Sequence, residues 1–372
     1  MKKIFLISIL TAAIGCSIFV ACKKHEFQKR DDAPYLDDSY DYEAAISATG
    51  SANQGKVTNA GARLGRALFY DTKLSKNNAV ACASCHKQDL AFADNVAFSS
   101  GFDGGKTGRN SMSIINALDA KGFFWDNRTQ DLNDMVLQPI RHQIEMGLES
   151  SDFLITKLKA TSYYPMLFHD AFGSTEITKE LVGKAMAQFI FSMVTGNTKA
   201  DQANVIIGGW NTNSSILTPD ERQGSAIFQN KGCAGCHAGN NLRGWNDLSF
   251  ANIGLDYDYP DKGMGALTAD ASQNGVFKIP SLRNVALTAP YMHDGRYATL
   301  EQVVEHYNSG IIYNPTLSPQ LKKMDPITYQ PMNEAVKMNM SDDDKRCLVA
   351  FLKTLTDYAL ITDPKFSDPF KK

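Results

Sequence analysis

The chain has 372 residues, of which 43% are hydrophobic and 21% charged, a composition typical of a folded globular protein and not of a disordered one. Lys and Arg number 38 against 40 Asp and Glu, so the net charge of −2 offers no basic surface, and no nucleic-acid partner is expected. At about 150 residues per domain, the length allows two domains.

The first residues have the pattern of an export signal. Two lysines precede an apolar run from Ile4 to Ala21, which predicts a lipoprotein-type signal peptide over residues 1–21. Small residues before Cys22 resemble a bacterial lipoprotein cleavage site, with Gly15-Cys16 as an earlier candidate. An uncleaved membrane anchor is the alternative. The chain is therefore predicted to be periplasmic and to meet a membrane only through a lipid anchor at Cys22.

Residues 22–58 carry charged and small polar stretches without a sustained apolar period, which predicts a flexible tether. Folded structure is expected to start near Asn59.

The rest of the chain contains an internal repeat. Gly65 to Phe69 and Gly224 to Phe228 share a spacing of Gly, Ala and Phe, and each precedes a Cys-x-x-Cys-His sequence. An apolar helical pattern follows each of those sequences later in the chain. This order predicts a duplication, with an N-terminal domain over residues 59–205 and a C-terminal domain over residues 206–372. Because strand-like alternation is nowhere sustained, the predicted class is all-α with long loops.

Two of the predicted helices begin with recognisable caps. Thr218 to Glu221 form a capping box with proline at the first helical position, and Ser341 precedes three acidic residues. After Ser341, an apolar stripe with helical spacing predicts a buried helix face. It consists of Leu348, Phe351, Leu352 and Leu355.

Cys-x-x-Cys-His is the attachment sequence of c-type haem, in which two thiols form thioethers with one porphyrin and the histidine ligates its iron. The two copies are Cys82, Cys85, His86 and Cys233, Cys236, His237. A redox dithiol or half of a zinc site is the alternative for a single copy. Two copies in duplicated, exported domains favour two covalently bound haem c groups, each in a cytochrome c-like domain.

Between and after these motifs, the chain resembles the bacterial dihaem cytochrome c peroxidase and MauG family over about residues 60–358. The matching strings are Phe124 to Arg128, Gln138 to Ile140, Glu145-Met146, Ile279 to Val285 and Ala289 to Gly295. The resemblance implies reduction of hydrogen peroxide at the first haem. Electrons would enter at the second haem from a small donor protein of the cytochrome c or cupredoxin type. Family members are often dimers, so a homodimer is also implied.

Three catalytic residues are carried over from the resemblance. Trp125 matches a tryptophan between the haems that relays electrons, although a large core aromatic is the alternative reading. Glu145 matches the acid that moves a proton at the peroxide site, where a solvated helix glutamate is the alternative. Gln138 matches the wall of the same pocket. His142, three residues before Glu145, is interpreted as an exposed histidine, with contact to the pocket as the alternative.

The sequence departs from typical family members at both haems. Typical members carry a histidine after the first motif that blocks the oxidised iron, but the aligned loop over residues 98–105 has no histidine and places Phe102 there. The first haem is therefore predicted to keep an open coordination position when oxidised. At the second haem, Tyr307 replaces the usual methionine ligand, and tyrosinate is a known axial ligand. His306 is its rival, with Met292 and Met324 as lesser alternatives.

The resemblance further implies a calcium ion between the domains. Asn110 would contribute its side chain, and Thr288 and Pro290 their backbone carbonyls, which are oxygen donors suited to a hard cation.

Three functions follow from these patterns. The leading prediction is an exported c-type peroxidase that draws electrons from a small protein. An alternative, suggested by Tyr307, is a MauG-like oxidase that takes electrons from a side chain of a partner protein. A non-enzymatic dihaem electron carrier is the third, which the absent blocking histidine and Glu145 both disfavour.

Overall fold

A computed structural model describes residues 33–44, 56–205, 215–237 and 250–370. The predicted signal peptide, Cys22 and most of the predicted junction between the domains lie outside these ranges. No helix in the described ranges is both long enough and apolar enough to cross a membrane. From Pro34 onward the chain forms one compact unit that contains both Cys-x-x-Cys-His motifs.

The described residues are mostly helical, with long connections. The α-helices, in chain order, are α1 Asn59–Tyr70, α2 Cys82–Cys85, α3 Leu132–Met135, α4 Leu137–Arg141, α5 Ser151–Lys159, α6 Tyr164–Phe172, α7 Lys179–Phe191, α8 Lys199–Gln202, α9 Pro219–Asn230, α10 Cys233–Cys236, α11 Met264–Thr268, α12 Leu300–Glu305, α13 Asp342–Lys353 and α14 Tyr358–Thr362. A π-helical turn over His306–Gly310 continues α12. The strands are β1 Phe250–Ala251, β2 Phe277–Lys278, β3 Lys322–Met324 and β4 Pro331–Ala335.

Two helix pairs pack together, α1 with α7 and α9 with α13. The first motif follows α1 in the chain, and the second follows α9. The repeated glycines lie at the two crossings. A Cβ atom on Gly65 would come within 2.0 Å of the Ala185 carbonyl oxygen, and one on Gly224 within 1.9 Å of the Cys347 carbonyl oxygen. Both positions therefore exclude a larger side chain, because the helices approach too closely.

The predicted caps and the apolar stripe are confirmed. Thr218 and Ser341 each form a reciprocal capping box at the start of α9 and α13. The stripe on α13 is buried in a core that also contains Ile227 and Phe228 of α9. Cys347 belongs to the same core, as a buried free thiol.

The all-α prediction is wrong in one respect, because the described residues include two small antiparallel sheets. β1 pairs with β2, and β3 pairs with β4 across an irregular register. Strands of two to five residues are too short to show the alternation that identifies a strand in a sequence.

The predicted tether over residues 22–58 contains packed residues. Tyr42 is fully buried, its ring contacts Phe189 and Phe366, and its hydroxyl donates a 2.9 Å hydrogen bond to the Lys365 carbonyl oxygen. Val57 is also buried. Nothing in the sequence indicated this packing in the described part of the range, because isolated apolar residues among polar ones have no periodicity, yet each can fill a site on an already folded surface.

The chain beyond α13 returns to the first helix pair. Phe366 packs edge-on against Phe92, with ring centroids 6.5 Å apart, and also contacts Phe189. Arg66 of α1 donates a 2.7 Å hydrogen bond to the Ser367 carbonyl oxygen, and Tyr70 donates one of 2.6 Å to Phe366. This C-terminal strap, residues 358–370, therefore completes the core beside the first motif.

We expect Tyr42→Phe to lower the free energy of unfolding by about 1–2 kcal/mol, because the part-buried Lys365 carbonyl would lose its donor. Chemical denaturation measures this change. Tyr35→Phe is the matched control. The Tyr35 side chain is exposed, so loss of its hydroxyl group should leave the free energy of unfolding unchanged. Equal stability of the two variants would show that the Tyr42 contact contributes nothing.

Candidate functional site

The first motif is a single helical turn, α2, followed at once by His86. The His86 Nδ1 atom lies 2.9 Å from the Phe92 carbonyl oxygen. That geometry favours the tautomer in which Nδ1–H donates to the carbonyl and Nε2 keeps its lone pair for a metal. Burial lowers the pKa of His86, which keeps the imidazole neutral, as a ligand must be.

The thiols of both motifs are held in the protonated form. Burial raises the pKa of Cys82 to about 12 and that of Cys233 to about 11. A redox dithiol needs a lowered thiol pKa, so these values argue against that alternative. Free, protonated thiols beside a neutral imidazole fit covalent haem attachment.

The second motif opens into an apolar cavity. Cys233, Cys236 and His237 line it together with Tyr307. Most of the remaining wall is apolar, including Phe228, Phe277, Ile279, Leu300, Val304 and Leu352. Two thiols and an imidazole in a large apolar cavity fit the porphyrin of a haem.

The two candidate ligands of the second haem, His306 and Tyr307, are adjacent in the π-helical turn but have different surroundings. Tyr307 lines the cavity, and burial raises the pKa of its phenol above its usual value. His306 is buried beside the cavity and does not line it. Its Nε2 lies 3.0 Å from the Ile253 carbonyl oxygen, and its Nδ1 lies 3.2 Å from the Tyr297 hydroxyl. Of the lesser alternatives, Met292 lines the cavity, whereas Met324 is exposed on β3.

Trp125 borders the cavity of the second motif. It lines that cavity and also a smaller neighbouring cavity shared with Met112. Its Nε1–H donates a 2.9 Å hydrogen bond to the Asn110 carbonyl oxygen, and its own carbonyl accepts from the Lys278 N–H at 2.8 Å. One hydrogen bond therefore holds the indole ring and another holds the backbone.

Glu145 lies in a tight turn that follows α4. The Gly147 N–H donates to the His142 carbonyl at 2.9 Å, and the Lys76 N–H donates to the Met146 carbonyl at 2.8 Å. Burial raises the pKa of Glu145, although the charges of His142 and Arg128 lower it in part. Burial is the main cause of the raised pKa of Cys82 and Cys85, and the Glu145 charge contributes to it.

The loop over residues 98–105 is docked on this turn. The Phe102 N–H donates a 2.9 Å hydrogen bond to the Glu145 carbonyl oxygen. A Cβ atom on Gly147 would come within 2.3 Å of the Phe102 ring, and one on Gly101 within 1.6 Å of the Ile144 carbonyl oxygen. Phe102 therefore packs against the turn that carries Glu145.

No contact in the described part of the chain joins Gln138 to Glu145. It lines a separate open cavity with Phe123, Arg141 and Lys184, and neither Glu145 nor Cys82 lines that cavity. Its predicted place in the peroxide pocket therefore stays a prediction.

The three predicted calcium ligands lie in one region. Asn110 and Thr288 line the smaller cavity beside Trp125. The Asn110 amide nitrogen donates a 3.1 Å hydrogen bond to the Val96 carbonyl. Pro290 lies next to Gly295, where an added Cβ atom would also meet Ala97. The neighbouring Arg109 pairs with Asp126 and Asp261 at 2.6 Å each, which ties together the segments that surround this region.

Comparison with known proteins decides the family. Residues 59–205 match the family model described as di-haem cytochrome c peroxidase, and residues 221–356 match that of cytochrome c. The methylamine utilization protein MauG of Methylorubrum extorquens is 34% identical over 308 residues, covering 81% of this chain and 80% of that protein. The cytochrome c551 peroxidase of Nitrosomonas europaea is 33% identical over 301 residues, covering 79% of each chain. The chain belongs to the dihaem cytochrome c peroxidase and MauG family.

A solved member of similar length has the same fold. It is described as a MauG-like protein associated with microbial copper homeostasis, with a TM-score of 0.72 and 31% identity over 85% of this chain and 94% of that one. The predicted resemblance is thus confirmed. Family membership implies two covalently bound haem c groups and oxidoreductase chemistry on peroxide.

His142 is exposed, as predicted, and its Nδ1 atom also lies 3.5 Å from the Glu145 Oε1 atom. Sequence reasoning missed another feature of the site. The ion pairs of Arg109 were not foreseen. Only the position of Arg109 beside Asn110 could have drawn attention to it.

Proposed function

We propose that this protein is a periplasmic dihaem c-type peroxidase that reduces hydrogen peroxide to water with electrons from a small donor protein. The donor would be of the cytochrome c or cupredoxin type. The observation that carries the proposal is the hydrogen-bonded turn that holds Glu145, against which a loop without histidine is docked. When bound, haem supplies the iron at which peroxide is reduced.

The chain's own residues have separate roles in this proposal. Glu145 takes a proton from one peroxide oxygen and returns one to the oxygen that leaves as water; its raised pKa suits both steps. His86 and His237 would each ligate the iron of the haem attached at their motif, and Tyr307 would supply a further ligand to the second haem. Trp125 carries electrons between the haems, supported by its position on two adjoining cavities.

The proposal includes further features that the family resemblance implies. Asn110, Thr288 and Pro290 would hold calcium, Cys22 would carry a lipid anchor, and two copies would form a homodimer. We also propose that the two halves arose by duplication, supported by the equivalent roles of Gly65 and Gly224 at their helix crossings.

Steady-state turnover tests the leading function. The oxidised protein is mixed with reduced cytochrome c, and donor oxidation is followed with and without hydrogen peroxide. Peroxide-dependent oxidation at a saturable rate supports a peroxidase. Absence of turnover with small haem and copper donors, with both haems attached, would contradict it.

A second function is favoured by one observation. Tyr307 lines the second cavity, in place of the methionine of typical members, and MauG proteins are among the relatives. In that case, electrons come from a side chain of a partner protein. Peroxide-dependent mass changes in a candidate partner would support it.

Trp125→Phe is expected to slow turnover about tenfold, a barrier increase of about 1.4 kcal/mol, because a phenyl ring is harder to oxidise than an indole. The KM for peroxide should not change. Rapid-mixing absorption spectroscopy would locate the delay in electron transfer between the haems. Unchanged transfer in a stably folded variant would make Trp125 a core aromatic only.

A further inference from the structure

Resting on the proposed function, we infer that His142 is the proton entry residue of the peroxide site and passes protons from solvent to Glu145. Reduction of one peroxide to two waters consumes two electrons and two protons. The donor protein supplies the electrons. The protons come from water, so Glu145 must be reprotonated in every turnover.

The two side chains form a short path from solvent inward. The His142 Nδ1 atom lies 3.5 Å from the Glu145 Oε1 atom. The His142 side chain is 49% exposed and that of Glu145 30% exposed. His142 is thus the more exposed residue of the pair. The Glu145 charge contributes to the raised pKa of both attachment thiols.

The turn keeps this pair in place. The Gly147 N–H donates a hydrogen bond to the His142 carbonyl, and the Leu148 N–H donates one to the Ile140 carbonyl at 3.0 Å. The docked loop adds the hydrogen bond from Phe102 to Glu145. Because the backbone is fixed on both sides of the pair, only rotation of the two side chains is needed to shorten the contact for transfer.

The chemistry of the pair suits a relay. Histidine is the side chain that ordinarily gains and loses a proton between pH 5 and 8. A protonated imidazole gives its proton to the Glu145 carboxylate and regains one from water, so no net charge accumulates. Other charged groups packed around the pair are Arg128 beside Glu145, Lys76 paired with Glu149 at 3.2 Å, and Asp103 in the docked loop. The two thiols carry no charge once they are thioethers.

The test compares His142→Gln with His169→Gln. His169 is a matched surface histidine, 54% exposed and 3.7 Å from Asp170, in the same half of the chain. We expect His142→Gln to lower kcat about tenfold and to flatten the pH profile of kcat between pH 5 and 8. His169→Gln should leave both unchanged. Imidazole added to the buffer should restore the turnover of His142→Gln, because it can replace the missing proton carrier.

A readout independent of turnover uses infrared spectroscopy of the oxidised resting protein. Loss of the imidazole charge should raise the pKa of Glu145, so its protonated carboxyl band should persist to higher pH in His142→Gln. The band is assigned by its loss in Glu145→Gln. Normal turnover of His142→Gln, or slow turnover with neither imidazole rescue nor a shifted band, would overturn the inference. Full activity of Glu145→Gln would instead overturn the proposed function.

Discussion

Glu145→Gln is expected to lower kcat for peroxide reduction by about 10²–10⁴-fold, the range for loss of a general acid–base group. An amide has nearly the shape of the carboxyl group but cannot accept and return a proton. The turn that carries residue 145 is held by backbone hydrogen bonds, so the variant should fold and retain both haems. Stopped-flow measurement of peroxide consumption gives the rate.

The pH dependence has a defined sign. Burial raises the pKa of Glu145, and a protonated carboxyl group cannot take a proton from peroxide. The kcat/KM of the unmodified protein should therefore fall as the pH drops, with an inflection above the usual glutamate value of about 4.3. Glu149→Gln is the control, because its side chain is 71% exposed and pairs only weakly with Lys76. Comparable rates in Glu145→Gln and Glu149→Gln would remove the proton-transfer role.

Tyr307→Phe is expected to change the absorption and EPR spectra of the oxidised second haem and to raise its reduction potential. Its phenol lines the cavity that contains Cys233, Cys236 and His237. Anionic oxygen ligands stabilise the oxidised iron, so their removal favours the reduced form. The first haem should keep its spectrum, because Tyr307 lines the cavity of the second motif.

Two further variants separate the rival ligands. His306→Gln should leave the second-haem spectrum unchanged, since both His306 nitrogens lie within hydrogen-bonding distance of Ile253 and Tyr297. Met292→Leu should also leave it unchanged. An unaltered spectrum in Tyr307→Phe, together with a change in either of these variants, would assign the ligand to histidine or methionine instead.

Features set by short stretches of sequence were predictable. The Cys-x-x-Cys-His turns, the Thr218 and Ser341 caps and the α13 stripe depend on residues within a few positions of each other. The repeated Gly65 and Gly224 could be noticed from spacing alone. Their reason, a close helix crossing, became clear only from the partner helix.

Features that depend on distant segments were not predictable. Tyr42 gives no local sign of burial, because its partners are Phe189 and Phe366. The choice between His306 and Tyr307 depends on a π-helical turn, which rotates adjacent side chains differently from a regular helix. The distance between Gln138 and Glu145 depends on how α4 meets the turn, which no spacing rule determines.

The C-terminal strap has a consequence for how the protein matures. Phe366 packs on Phe92, and the Phe92 carbonyl holds the His86 ring. The first attachment site thus contacts residues that are synthesised long after Cys82 and Cys85. Local hydrogen bonds between Lys87 and the Phe92-Ala93 segment hold the carbonyl that meets His86, and the late segment adds packing on the Phe92 ring. A chain cut short within the strap would therefore present the first haem-attachment motif beside an incomplete core.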